Sequence, residues 1–155
     1  MNGTKITPHF ARAELVVTST GLANTPTPHH WCALGALCSA VLEPWRERVG
    51  AIMITSGYRS LEVNTAIGGS STSQHMRGEA ADCIPLALER DAAWRALAAM
   101  VGAGLPVDQA IYYHDSNFIH VSHTARHGAR RELLIKTGPP SGGAYLPWDS
   151  YTGIL

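Results

Sequence analysis

The stretch SQHMRGEAADCIP, residues 73–85, opens polar and closes apolar, and Gly78 stands at the change. Before the glycine it reads as a loop. After it, EAADCIP has the character of a strand ended by Pro85. Along that strand Ala80, Asp82 and Ile84 share one face, while Ala81 and Cys83 share the other. Asp82 therefore projects from an otherwise apolar surface, where a carboxylate without a partner is expensive. A metal ion is one way to supply the partner, and Gly78 lets the chain turn so that His75 can face the same ion. A surface turn carrying a loop histidine and a salt-bridged acid fits the same residues, so both readings stand at this point.

Working outward, AIMIT (51–55) is short, apolar and β-branched and reads as a buried strand. SLEVNTAI follows as one or two helical turns stopped by Gly68 and Gly69, and GGSSTS leads as a loop into the opening stretch. Beyond Pro85, LALERDAAWRALAAMVGAG is rich in alanine and leucine with a glycine stop, the pattern of a helix. QAIYY, NFIHVSH and RELLIKT read as three further strands. Upstream, Trp31, Leu34, Leu37, Cys38, Val41, Leu42 and Trp45 recur at threes and fours, which predicts a helix from Pro28 to Gly50 with Pro44 kinking it or ending it early. A sustained β-α-β alternation is missing. The expected fold is α+β, helices packed on a small, largely antiparallel sheet.

The 155 residues fit one domain, with an N-terminal arm over 1–27 and a C-terminal tail over 137–155. The arm is expected to carry a short helix around FARAEL capped by Thr7, and the tail to wrap the surface, anchored by Trp148 or Tyr151. With 45% hydrophobic residues, 15% charged residues and zero formal net charge, the composition suits a globular protein and offers no electrostatic case for nucleic acid. No run is long enough to insert in a membrane and the N-terminus does not resemble a signal peptide, so synthesis in the cytoplasm is expected. A monomer is expected. Cys32, Cys38 and Cys83 lie among apolar or small residues and are expected to be free thiols rather than a disulfide or a thiolate metal site.

A third metal ligand would come from NFIHVSH. Alternation puts Phe118, His120 and Ser122 on one side and Ile119, Val121 and His123 on the other, so a regular strand cannot offer both histidines to one ion. His120 is the more rigidly placed; His123, at the strand end, is free to face solvent. A catalytic zinc needs three protein ligands and one open position, where the metal raises the acidity of water.

SGYRS, then GGSSTSQHMRGEAAD, then FIHVS, in this order and at these separations, resemble the signature of the M15-type zinc peptidases, the family of D-alanyl-D-alanine carboxypeptidases and phage endolysins. The resemblance covers roughly residues 7–125 and includes HFARAEL, the LANTP region and VLEPWRERVG. It implies one zinc ion held by His75, Asp82 and His120, and hydrolysis of peptide bonds in peptidoglycan stem or cross-link peptides. It also implies that Arg59 of SGYRS holds a substrate carboxylate or polarises the scissile carbonyl, against the alternative of an arginine that only stabilises a turn. Ser73 and Gln74 either line the substrate site or shape the loop. An endolysin-like enzyme would act on the cell wall after release, and a component of a phage particle fits equally.

The pattern breaks at Asn117, where many members of that family carry an acid that takes the proton from water. Phe118 also replaces a histidine frequent there. Asp115, in the turn YYHDSNF, is the nearest replacement for the acid, with His114 as another; both also suit an ordinary turn. The break motivates a second reading, a non-catalytic zinc module that binds peptide or cell-wall material.

Overall fold

A computed structural model describes residues 4–139, 142–153 and 155. The first three residues of the expected arm, and residues 140, 141 and 154 of the expected tail, lie outside the described residues. Six strands form one sheet: β1 (Ile52–Ser56), β2 (Ala80–Pro85), β3 (Gln109–Tyr113), β4 (Ile119–Ser122), β5 (Glu132–Thr137) and β6 (Ala144–Pro147). Their order across the sheet is β1-β2-β4-β3-β5-β6. The β3–β5 pair is parallel and the other four pairs are antiparallel. With helices α1 (Pro28–Leu37), α2 (Glu43–Val49), α3 (Leu61–Ala66) and α4 (Arg90–Gly102), the architecture is the α+β arrangement that the sequence predicts.

Strand alternation divides the sheet into two faces. Ala81, Cys83, Ala110, Tyr112, Ile119, Val121 and Ile135 all point to one side, where they join Leu37, Trp45, Trp94 and Leu97 in the core. Trp45 also donates from its ring nitrogen to the Ala93 carbonyl at 3.2 Å, which ties α2 to α4 and satisfies that buried N–H. Asp82, Ile111, Tyr113, His120 and Lys136 point to the other side and line a cleft of about 750 Å³. Among the described residues no helix is long and apolar enough to cross a membrane.

Several expectations are corrected. Pro44 does not end the helix. A wider turn at Cys38–Leu42 joins α1 to α2, with the Glu43 N–H reaching back five residues to the Cys38 carbonyl. That turn lies where the proline ring would otherwise press on the carbonyl four residues back, so the helix continues to Val49. The helix at FARAEL is a tight turn over Arg12–Val16, and Ala11 rather than Thr7 precedes it; the Glu14 carboxylate accepts from the Ala11 N–H at 2.9 Å. Within the arm, Phe10 and Leu15 are fully buried in the core. The tail is more than a wrap, because β6 adds a sixth strand to the edge at β5. Trp148 and Tyr151 do pack on the core. His123 is not free in solvent: its ring nitrogen donates to the Pro106 carbonyl at 2.7 Å.

All three cysteines are free thiols, yet Cys32 is exposed. Burial pushes the Cys38 thiol up to about 12. Cys83 is also raised well above the ordinary range, by burial first and then by the neighbouring Asp82 carboxylate.

Candidate metal centre

Asp82 and His120 are directly paired across β2 and β4, so the sheet register alone sets two of the three expected ligands side by side. His75 comes from the short helical turn Gln74–Arg77, ended by Gly78 in the left-handed conformation at φ 71°. A residue with a Cβ is disfavoured there twice over, because the added atom would lie 2.7 Å from the His30 carbonyl oxygen. The glycine thus brings the turn against α1 and sends the chain directly into β2.

The three side chains converge. One donor atom from each of His75, Asp82 and His120 lies within 4.8 Å of the others, and all three residues are buried. His75 Nδ1 sits 2.7 Å from the Gly57 carbonyl oxygen, which can only accept, so Nδ1 carries the proton. Nε2 is then left with its lone pair toward the cluster, 3.3 Å from Asp82 Oδ1 and 3.3 Å from His120 Nδ1. His120 Nδ1 stands 3.0 Å from the same aspartate oxygen.

Burial by itself would raise the Asp82 pKa. The neighbouring imidazoles of His75 and His120 outweigh it and hold the carboxyl well below the usual carboxylate range. Burial lowers the pKa of His120, against the pull of Asp82. An ionised oxygen and two imidazole nitrogens at the buried wall of the cleft, one imidazole with its tautomer fixed, are a donor set suited to zinc. All three residues line the cleft, so a fourth position would face the space a substrate enters.

Arg59 stands against this cluster. Its Nη2 donates to Asp82 Oδ2 at 2.5 Å and its Nε to Ser56 Oγ at 2.8 Å. Ser56 is opposite Asp82 at a register shift in the β1–β2 pair, and Thr55 donates its hydroxyl to the Asp82 carbonyl at 3.2 Å. The arginine loop is fastened from behind by Asn24, whose amide nitrogen donates to the Tyr58 carbonyl and whose oxygen accepts from the Ser60 N–H, both at 2.8 Å.

Gln74 and Ser73 both line the cleft, and the Gln74 amide donates to Asp108 Oδ2 at 3.0 Å. Asp108 is fully buried and also receives the Arg130 guanidinium at 2.8 Å. Asp115 is placed differently. Its carboxylate is exposed, accepts from the Gly138 N–H at 2.8 Å and lies 3.3 Å from His114 Nδ1; it is not among the residues that line the cleft. Tyr113 does line it. Burial, with the neighbouring Tyr145 and Asp82, pushes its phenol well above the ordinary value, so its hydroxyl remains a donor.

Sequence reasoning missed Ser56, Asn24, Gly57 and Tyr113. Asn24 and Gly57 act through contacts between residues distant in the chain, and no local pattern announces such contacts. Tyr113 was within reach of the alternation argument, since Ile111 is opposite His120 and Tyr113 shares its face.

No curated protein matches the chain. A family of zinc-dependent peptidases does match, and the matched stretch contains Arg59 and all three donors. Matched over residues 8–122 by the family model Peptidase M15, the chain belongs to the M15 peptidase family.

Proposed function

We propose that this protein hydrolyses peptide bonds in peptidoglycan stem or cross-link peptides, as a carboxypeptidase or endopeptidase acting as a monomer. The observation that carries the reading is the buried His75–Asp82–His120 cluster opening on a cleft large enough for a peptide. Zinc bound by these residues would supply Lewis acidity, polarising a scissile carbonyl and making water a better nucleophile.

The chain's own groups account for the rest. Gly57 fixes the His75 tautomer, and the Ser56 hydroxyl holds Arg59 beside Asp82. The guanidinium there supplies a permanent positive charge at the wall where a substrate carbonyl gains negative charge. Tyr113 offers a hydroxyl donor from the same wall. The endolysin-like setting implied by the sequence resemblance belongs to this proposal: synthesis in the cytoplasm and action on the cell wall after release.

The test is incubation of zinc-loaded protein with purified peptidoglycan, followed by mass spectrometry of the fragments. New amino and carboxyl termini are expected, and they should vanish on chelation of the metal. A second reading, a zinc module that binds wall peptides without cutting them, is favoured by Asn117 at the usual acid position. The two acids that line the cleft are, besides, already engaged, Asp82 with the histidines and Asp108 with Arg130. Binding of peptidoglycan with no new termini would establish that reading instead.

A further inference from the structure

Gln74 opens the short turn that carries His75, and its backbone carbonyl accepts from the Glu79 N–H at 3.0 Å. Its side chain reaches Asp108, 34 residues on and immediately before β3. Asp108 is bolted into the sheet on both sides. Its N–H donates to the Ser122 carbonyl of β4 at 2.8 Å, and its carbonyl accepts from the Glu132 N–H of β5 at 3.0 Å. Its carboxylate is fully buried and receives Arg130 through the guanidinium at 2.8 Å and the backbone N–H at 3.3 Å. Burial would raise its pKa, but the hydrogen bonds from Arg130 outweigh that and keep it ionised.

A primary amide presents an oxygen at one end and an NH2 group at the other in nearly the same shape, and its partner decides which end points where. An ionised carboxylate can only accept. Gln74 therefore turns Nε2 to Asp108 Oδ2, at 3.0 Å, and Oε1 is the end left over. Among the described residues nothing donates to Oε1, and it is not one of the buried side-chain atoms without a partner, so it is open to the cleft that Gln74 lines.

An acceptor at this place suits a peptide. Gln74 directly precedes the ligand His75, so their Cα atoms are about 3.8 Å apart, roughly one residue of an extended chain. A peptide drawn into the cleft gives up water at its backbone N–H groups, and an N–H that finds no new acceptor weakens binding. The arginines that line the cleft carry donors alone and cannot serve an N–H. Asp82 and Asp108 can accept, but the histidines and Arg59 already engage the first and Arg130 the second. Gln74 Oε1 is both held in place and unoccupied.

We propose that Gln74, oriented by Asp108, accepts a hydrogen bond through Oε1 from a backbone N–H of the peptide substrate, a residue or two from the scissile bond. The assignment rests on the peptidase reading for its substrate. Gln74 is the residue that touches the peptide, and Asp108 is a positioning residue that acts through it.

The test uses zinc-loaded full-length protein and an acetylated stem-type peptide, Ala-γ-D-Glu-Lys-D-Ala-D-Ala, in a series where each backbone amide in turn is replaced by an ester. The replacement keeps the shape and removes one N–H. Calorimetry gives the dissociation constants, and the mass of the recovered peptide counts turnover separately. One ester, which identifies the N–H used, is expected to bind the wild type about tenfold more weakly than the parent, the scale of one hydrogen bond. Gln74→Met, which keeps the length and loses the oxygen, should bring that ratio close to one. Asp108→Asn should lower it as well, because the new amide can donate and lets the Gln74 amide turn round. The ratio compares two peptides on one protein, so a general weakening of the site leaves it unmoved. Ratios that Gln74→Met diminishes at no position, or no binding of the parent peptide, overturn the acceptor; an undiminished ratio in Asp108→Asn overturns the positioning. Should Asp108→Asn not fold, the Gln74 side-chain N–H signals in a nitrogen-correlated spectrum, identified by their loss in Gln74→Met, decide the positioning. One proton shifted downfield by the carboxylate supports it, and the positions of a solvent-exposed glutamine overturn it. A Gln74-dependent ratio without turnover keeps the acceptor and removes the hydrolase; turnover without such a ratio does the reverse.

Discussion

At the scale of single residues, His75, Asp82 and His120 differ in how each is held, yet each supplies one donor to the same point. Replacing any one by alanine should reduce bound zinc from about one equivalent to well below it, a larger loss than the roughly 10- to 100-fold that follows when a group behind a ligand is removed. Elemental analysis of the purified variants checks this. Asp115 poses the opposite case. Its carboxylate anchors Gly138 outside the cleft lining, so Asp115→Asn should retain zinc and keep turnover within about threefold of wild type; a loss of about 100-fold with zinc retained would return it to the reaction as proton acceptor. Alternation puts Asp82 and His120 each on a definite face of its strand, but His75, Asp82 and His120 are legible as one ligand set only through the resemblance to the family signature, because alternation within a strand does not say which strands are neighbours. The case for Asp115 in the sequence is its nearness to Asn117, and nearness in the chain does not fix which way a turn points.

Among the elements, the ligands depend on two close backbone approaches. A Cβ on Gly57 would lie 2.4 Å from the Leu15 carbonyl oxygen, and one on Gly78 would lie 2.7 Å from that of His30. Because the obstructing atoms are backbone, Gly57→Ala should destabilise by about 2 kcal/mol and weaken zinc binding by displacing the carbonyl that orients His75. Thermal melts with and without zinc, together with a zinc titration, check both effects. The strands β1 to β5 and the helices α3 and α4 follow from runs and stops visible in the chain. β6 does not, because AYLP is too short and too exposed to show an alternation; its pairing with the edge of β5 decides its conformation. The passage of the helix through Pro44 was hidden for a related reason, since a widened turn leaves no compositional mark.

On the scale of the whole molecule, zero net charge conceals a concentration of ion pairs around the cleft. Glu79 is the hub on one side: it accepts from Arg126 at 2.7 and 2.9 Å, from Arg77 at 3.0 Å and from the Thr124 hydroxyl at 2.8 Å. Burial would raise its pKa, but the hydrogen bonds from Arg126, Arg77 and Thr124 outweigh it and bring it down to about 2. A carboxyl with a depressed folded pKa stabilises the fold above its unfolded value and loses that stabilisation as pH falls toward the folded one. Unfolding midpoints should therefore drop between pH 5 and pH 2. Glu79→Gln should cost about 2 kcal/mol at neutral pH, the order expected for hydrogen bonds to a charged group, and should flatten the dependence; equal slopes for the two proteins would remove Glu79 as its source. The alternation of β2 has one more consequence. Cys83 is the back of the strand whose front is Asp82, and it is fully buried. A thiol reagent should label exposed Cys32 at once and reach Cys83 only when the sheet opens. Since a ligand that binds only the closed form suppresses opening in proportion to its saturation, the labelling rate of Cys83 becomes a clock for occupancy of the metal centre, read from the opposite side of the sheet and without any substrate.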